Sequence, residues 1–336
     1  MAQVKLTDVY RPSGFARRAQ EKQYELNNFV SSGVVTQDPV LAQKLSGGSE
    51  TVSLPQFNGI TIEEPNYSTD NPASSSTPKK ISSGLQVARA AARNQSWSAM
   101  SLARELTDAD PMGAIVGRVG NYWASDDETR LIASFLGILA DNKASDSGDM
   151  VVTLGTDVDA AVVDAERISA DAILTAAQTM GDHKTSLVAV AMHSVTETRL
   201  ARQGLLKTFS DPTTGKALFN TYLGYRVLVD DSMPAVSGTN RIMYTVALFG
   251  VSAVSYATGN VSVPSEIDRT PASGDGGGED ILFSRVNTCF HPNGFKWLEG
   301  SVAGQAPTYA ELKLAANWNR QVARKSVSVA FLEVND

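Results

Sequence analysis

Asp110-Pro-Met-Gly-Ala-Ile-Val-Gly-Arg-Val-Gly-Asn-Tyr-Trp123, resumed as Leu131-Ile-Ala-Ser-Phe-Leu-Gly-Ile-Leu139, is the stretch that decides the architecture of this chain. Asp110 is a good N-cap residue and Pro111 suits the first helical position, where its missing N–H costs nothing. Met112, Ile115, Val116, Val119 and Trp123 follow the spacing of one helix face, and Leu131, Ile132, Phe135, Leu136 and Leu139 continue it. The spacing predicts an amphipathic helix from Pro111 to Leu139, roughly 40 Å long at 1.5 Å per residue. An aspartate at Val116 or Phe135 would bury an unpaired charge on that stripe, so either variant is expected to be insoluble or unable to assemble.

Upstream of the helix the chain carries little core-forming pattern. Short apolar clusters (Val4, Leu6, Val9; Leu26, Phe29, Val30; Val34, Val35) are interrupted by Pro12, Gly14 and Gly33. Thr51 to Phe57 alternates like a strand, and Pro55 argues for an edge position. Asn66 to Ser83 is rich in Ser, Asn, Pro and Thr and reads as the tip of a long hairpin, with Gly84 to Trp97 as its return. An isolated two-stranded hairpin is marginal in water, so it should lie on another copy of the chain. Nearly a third of the length spent on arms around one long helix points to assembly.

Downstream the pattern becomes that of a compact α+β unit over residues 151–270. Ser169 caps a helix through Met180 that Gly181 closes, and Leu187 to Met192 is an apolar run of strand length. Ser194 with Glu197 has the form of a capping box for the helix that follows. Tyr222 to Val229 and Ile242 to Phe249 read as strands, and Thr270 to Asp280 as a Gly-rich loop. Ile281 to Leu298 then alternates at period two, with Cys289 and His291 on one face. A short helix from Thr308 to Trp318 and a strand from Val327 to Val334 complete the chain.

Composition narrows the function classes. A chain of 336 residues with 42% hydrophobic and 19% charged residues can fill one large or two ordinary folded domains. The single Cys289 excludes an intramolecular disulfide framework and fits a reducing compartment. The Met1 to Asp8 segment has no apolar signal core, and no apolar run is long enough for a membrane span. The net charge of −7, with residues 101–150 strongly acidic and the first hundred mildly basic, does not suit tight nucleic-acid binding.

Catalytic signatures are thin. Gly276-Gly-Gly-Glu-Asp280 lacks the Lys-Ser/Thr of a phosphate-binding loop, and no G-x-S-x-G elbow is present. His193 follows a strand, where α/β enzymes place chemistry, yet its neighbours already serve as a helix cap. Cys289 and His291 could ligate a metal, but two ligands do not make a site. Asp230 and Asp231 read either as paired carboxylates or as a solvated turn. No catalytic, cofactor-binding or metal residue is assigned. Lys79, Lys80, Arg89 and Arg93 admit two readings. They are solubilising charges, or they pair with an acidic surface on a neighbour such as Asp126, Asp127 and Glu128, with ~0–1 kcal/mol per exposed pair.

The order of several weak motifs resembles the major capsid proteins of tailed bacteriophages, the Hong Kong 97-type fold. They are Val4-Lys-Leu-Thr-Asp-Val9, Asn28 to Val35, Leu54-Pro-Gln-Phe57, Lys79-Lys-Ile-Ser-Ser-Gly84, Asp110-Pro-Met112, Tyr122-Trp123, Met192-His-Ser194, His291-Pro-Asn-Gly-Phe295 and Asn317-Trp318. The resemblance implies an α+β fold with an N-terminal arm (1–50), an extended β-hairpin loop (51–96), a peripheral domain (97–150 and 271–307) with a spine helix over 110–140, and an axial domain with a central β-sheet (151–270 and 308–336). It implies a non-enzymatic shell protein without cofactors, forming hexamers and pentamers around double-stranded DNA in the virion, assembled in the host bacterial cytoplasm. A separate scaffolding protein, a portal and a decoration protein are the implied partners. Some relatives bond a loop lysine to a neighbour's asparagine, which would here be Lys79 or Lys80 with Asn293. An encapsulin-like compartment and a soluble α+β hydrolase using His193 are the alternatives.

Overall fold

The computed structural model describes residues 29–336 apart from 58, 61, 108–109 and 211–216. The expected helix is present and longer than its stripe, running Pro111–Ser145 over about 52 Å. Asp110 caps it by accepting the Gly113 N–H at 3.1 Å. At the far end Asn142 is fully buried, donates to Asp149 at 2.7 Å and accepts from the Met150 backbone at 3.0 Å, which turns the chain into the next strand.

Only the second half of this helix is core. From Asp127 onward most residues are buried, whereas Val116 is 52% exposed. The apolar spacing at Met112–Val119 is therefore helical but only partly covered within the chain, with Met112, Ile115 and Val119 half-buried and Val116 exposed. The expected equivalence of Val116 and Phe135 is corrected accordingly. Phe135→Asp should leave little soluble protein, since Phe135 packs at 4.5 Å centroid distance on Phe249. Val116→Asp should instead give soluble chain with native circular dichroism; solubility and spectra of the two variants check this contrast.

The helix lies on one face of an eight-stranded mixed sheet. Along the main path its strand order is Val151–Thr153, Val329–Val334, Ile242–Gly250, Leu187–Met192, Tyr225–Val229, Ala217–Tyr222, Leu206–Ser210, with Ala235–Ser237 beside Ile242–Gly250. Alternation along single strands shows why these runs are apolar throughout. Ala247, Phe249, Val329 and Phe331 join Leu131, Phe135 and Ile138 of the long helix. Val246, Leu248, Ala330 and Leu332 face the other way, onto helices Ala170–Gln178 and Ser194–Arg202. A sheet covered on both faces has no need of polar positions. Lys143 near the helix end reaches Glu333 at 2.5 Å and pins helix to sheet.

A second sheet of five strands is built on Glu279–Pro292. Ala91–Met100 pairs antiparallel along one edge from Met100↔Glu279 to Ala91↔Thr288; Ser265–Thr270 and Val254–Thr258 pair at the two ends of the strand, and Val35–Gln37 adds in parallel. Two expected boundaries thus differ. Residues 91–96, read as the return of the extended loop, belong to this sheet. Residues 254–270, read with the central sheet, belong to it as well, because the long period-two strand offers them antiparallel partners.

The loop itself is a hairpin of Thr51–Phe57 with Ser83–Arg89, in register Thr51↔Arg89 to Phe57↔Ser83. Every described residue from 59 to 82 is exposed. The Thr308–Trp318 helix is one short helical turn, Tyr309–Leu312, capped by Thr308 and Glu311. Of the expected arm, residues 1–28 lie outside the described residues.

Candidate functional site

The charged residues proposed as contacts between copies sit in two different settings. Ala91–Met100 runs beneath the long helix, so Arg93 faces it and forms ion pairs with Asp126 and with Asp127, the latter at 2.7 Å. Thr288 donates to Asp127 at 3.0 Å, and the Trp123 ring lies 5.4 Å below the Arg93 guanidinium. The side chains of Arg93, Asp126 and Asp127 are about nine-tenths buried, and Glu128 is 1% exposed. They form no acidic surface for a neighbour. Arg89 is also used inside its chain, with Glu50 at 3.1 Å, Glu299 at 3.2 Å and the Gln305 carbonyl at 2.5 Å. Sequence spacing could not reveal these pairs, because partners such as Arg93 and Asp127 are 34 positions apart and Arg89 and Glu50 are 39 apart.

Lys79 and Lys80 are different. Both are exposed near the end of the loop, and Lys79 pairs with Glu63 on the outgoing side. The hairpin also carries apolar side chains that nothing in its own chain covers: Phe57 at 72%, Ile60 at 82%, Ile62 at 99% and Tyr67 at 77% exposure. Its base, in contrast, is fastened. Gln86 Oε1 accepts from the Gly294 backbone at 2.9 Å and from His291 Nε2 at 3.1 Å, which fixes the protonated ring nitrogen as Nε2.

His291 is wholly buried, and burial pushes its pKa down to about 4, with nearby Asp38 opposing the shift. The folded protein thus takes up this proton less readily than an unfolded chain with pKa ~6.5. Its neutral form stabilises the fold above pH 6.5, and that contribution is lost as pH falls from 6.5 through 4. The protection of Ser83–Arg89 amides, measured as exchange relative to the intrinsic rate at each pH, is expected to fall across this window in wild type and to depend less on pH in His291→Gln. An identical pH dependence in the two proteins would refute the anchor.

The catalytic alternatives have structural explanations. His193, not Ser194, is the N-cap of Ser194–Arg202, its Nδ1 accepting the Val195 N–H at 3.2 Å. A nitrogen engaged in that way does not donate to Asp231, 3.8 Å away. Asp230 is buried and turns the chain by accepting the Ser232 N–H at 2.7 Å, while Asp231 stays exposed. Cys289 packs against Leu41, Leu45, Val52 and Ala88, and burial raises its pKa to about 12. Among the described residues no group of three or more His, Cys, Asp or Glu is placed to hold a metal ion. No helix among them is long and apolar enough to cross a membrane. Both ends of the Asn293 amide are held by its own chain, through the Ser252 carbonyl at 2.7 Å and the Ser255 hydroxyl at 2.9 Å.

The family described as Gp13-like, major capsid protein 13-like, matches residues 137–328. The chain is 33% identical over 335 residues to the major capsid protein of Bacillus phage SPP1, covering 98% of this chain and 97% of that one. The chain belongs to the Gp13-like major capsid protein family. Its fold is that of phage capsids: the capsid of Ralstonia phage GP4 superposes with a TM-score of 0.55 at 11% identity, over 85% of this chain and 83% of that one. A chain of Mycobacterium phage Cain superposes with a TM-score of 0.52 at 10% identity, over 98% of each chain.

Proposed function

We propose that this capsid-family chain self-assembles into hexamers and pentamers that close an icosahedral shell around the double-stranded DNA of a tailed bacteriophage. The observation that carries the reading is the hairpin: it is anchored at Gln86 and leaves Phe57, Ile60, Ile62 and Tyr67 in water. Apolar side chains this exposed on a projecting element mark a contact surface. A neighbouring copy covers them, and Lys79 and Lys80 orient the contact. The five-stranded sheet with the long helix forms the peripheral domain, and the eight-stranded sheet the axial domain. The protein works in the virion capsid after assembly in the bacterial cytoplasm, with a separate scaffolding protein, a portal and a decoration protein as partners. DNA meets the shell without sequence readout, in keeping with the acidic composition.

Negative-stain electron microscopy of the expressed chain tests the reading. Closed particles of uniform diameter are the expected result. A monodisperse monomer at every concentration and ionic strength, also when the chain is co-expressed with the scaffolding protein, would overturn it.

A further inference from the structure

The chain contains two Asn-Gly pairs, Asn58-Gly59 and Asn293-Gly294. Asn-Gly is the dipeptide that loses its side-chain amide most readily, because a glycine without Cβ lets its backbone nitrogen approach the preceding side chain. The second pair forms the turn between Glu279–Pro292 and Phe295–Trp297. Glycine is required there on structural grounds. Gly294 has a φ of +93°, and the Val322 side chain lies 2.8 Å from where a Cβ would stand.

The hydrogen bonds around this pair prepare one reacting group and withhold the other. The Ser255 hydroxyl donates to Asn293 Oδ1 at 2.9 Å, while Asn293 Nδ2 donates to the Ser252 carbonyl at 2.7 Å. The Ser255 donor is aimed at the oxygen that becomes negative when a nucleophile adds to the amide carbon. The nucleophile is what the fold keeps back. Gly294 is buried, and its N–H donates to Gln86 Oε1 at 2.9 Å. Gln86 lies on the hairpin strand Ser83–Arg89, where it also accepts from His291 Nε2 at 3.1 Å and donates across the hairpin to Gln56. The group that blocks the Gly294 nitrogen therefore belongs to the projecting hairpin.

We propose that Asn293-Gly294 is a self-modifying site gated by the hairpin. While Gln86 is seated, the Gly294 nitrogen is engaged and the side chain of Asn293 stays intact. When the hairpin base lifts, hydroxide removes the Gly294 N–H proton and the nitrogen attacks Asn293 Cγ. The new C–N bond closes a succinimide, the bond from Cγ to Nδ2 breaks, and ammonia leaves with a proton taken from water. Water then opens the ring to aspartate or isoaspartate, with no oxidant or reductant involved. The change is one-way. An aspartate carboxylate has no N–H to offer the Ser252 carbonyl, and isoaspartate adds a methylene to the backbone between Pro292 and Gly294. Either product loosens the turn that seats Gln86, so a released hairpin does not fully reseat. The inference concerns a single copy of the chain and is independent of the shell reading.

Peptide mapping by mass spectrometry of the soluble full-length chain, incubated in mildly alkaline buffer, tests the gate. Asn293 should convert more slowly than in a synthetic His-Pro-Asn-Gly-Phe peptide, by at least the factor by which the chain slows exchange of the Gly294 amide hydrogen. Ring closure needs that same opening first. Conversion slowed less than exchange would reveal a route that bypasses Gln86 and would overturn the inference. Gln86→Ala removes the acceptor, and loss of its hydrogen bonds should raise conversion at Asn293 about tenfold or more. Asn58, whose partner Gly59 is exposed, serves as the internal clock and should convert at the same rate in both chains. An unchanged Asn293 rate in a Gln86→Ala chain with native near-ultraviolet circular dichroism would also overturn the inference. If that variant is not native, the wild-type comparison with the peptide decides. Asn293→Asp installs one product directly, and Ser83–Arg89 should then lose protection against exchange. Wild-type protection of that strand in Asn293→Asp would refute the one-way release.

Discussion

Gly137→Ala is expected to destabilise this protein, although the substitution normally strengthens a helix. Alanine in a helix interior is favoured over glycine by ~1 kcal/mol, and Gly137 lies deep inside Pro111–Ser145. A methyl group there would overlap the Leu312 carbonyl and the Trp318 indole. Neither can yield. The Trp318 Nε1 donates to that same carbonyl at 2.8 Å, and the ring meets Trp297 edge-on at 5.0 Å. The obstacle is backbone and a wedged aromatic, not the free end of a flexible chain. Overpacking of a closed site costs ~1–3 kcal/mol and occasionally more, so the steric term exceeds the propensity gain. With ~2 °C or more per kcal/mol, the melting temperature should fall by several degrees, and the 5.0 Å tryptophan pair should change its near-ultraviolet signal. Gly117, which has open space around its Cβ position, provides the control: Gly117→Ala should be neutral or stabilising. A Gly137→Ala protein that melts at or above wild type would show that the helix does not approach Leu312 this closely.

What the amino-acid order reveals here depends on how far each interaction reaches along the chain. Asp110-Pro111 opens the long helix because capping is decided within three residues. Ile242–Gly250 and Val329–Val334 are legible as strands covered on both faces because their apolar runs leave no solvent side. Long-range pairing is another matter. Arg93 was available to a neighbour until the register Arg93↔Val286 set it beneath Asp127. The same register moves residues 91–96 out of the loop. Periodicity also cannot distinguish a stripe that packs inside the chain, as at Phe135, from one left bare, as at Val116. A clamp between Asp157 and Arg241 carried no sequence signal at all. Its partners, the Asp157 carboxylate and the Arg241 backbone N–H that it accepts at 3.0 Å, lie 84 positions apart, beyond the reach of any local rule.

Deleting residues 66–82 should leave the rest of the chain folded while abolishing closed particles. These residues are exposed, belong to no strand, and leave Thr51–Phe57 paired with Ser83–Arg89 when they are removed. Loop-closure entropy changes by only ~0.6 kcal/mol for each doubling of length, so a shorter connection does not strain the hairpin. The His291–Gln86–Gly294 anchor is untouched. Circular dichroism and the melting temperature of the monomer should therefore stay near wild type. Assembly responds differently because contacts in a closed shell are coupled. Each edge already engaged raises the effective concentration at the next, and losing one class of contact forfeits an avidity factor of ~10²–10⁴ rather than the energy of one pair. Particle yield by size exclusion and microscopy should fall about a hundredfold or more. Hydrogen exchange supplies the matching measurement on the intact chain, with residues 59–82 unprotected in monomer and protected in particles. Shells of normal size and yield from the deletion variant would show that the tip with Tyr67, Lys79 and Lys80 does not join one copy to the next, and strong protection of 59–82 in the monomer would show the same of the whole loop.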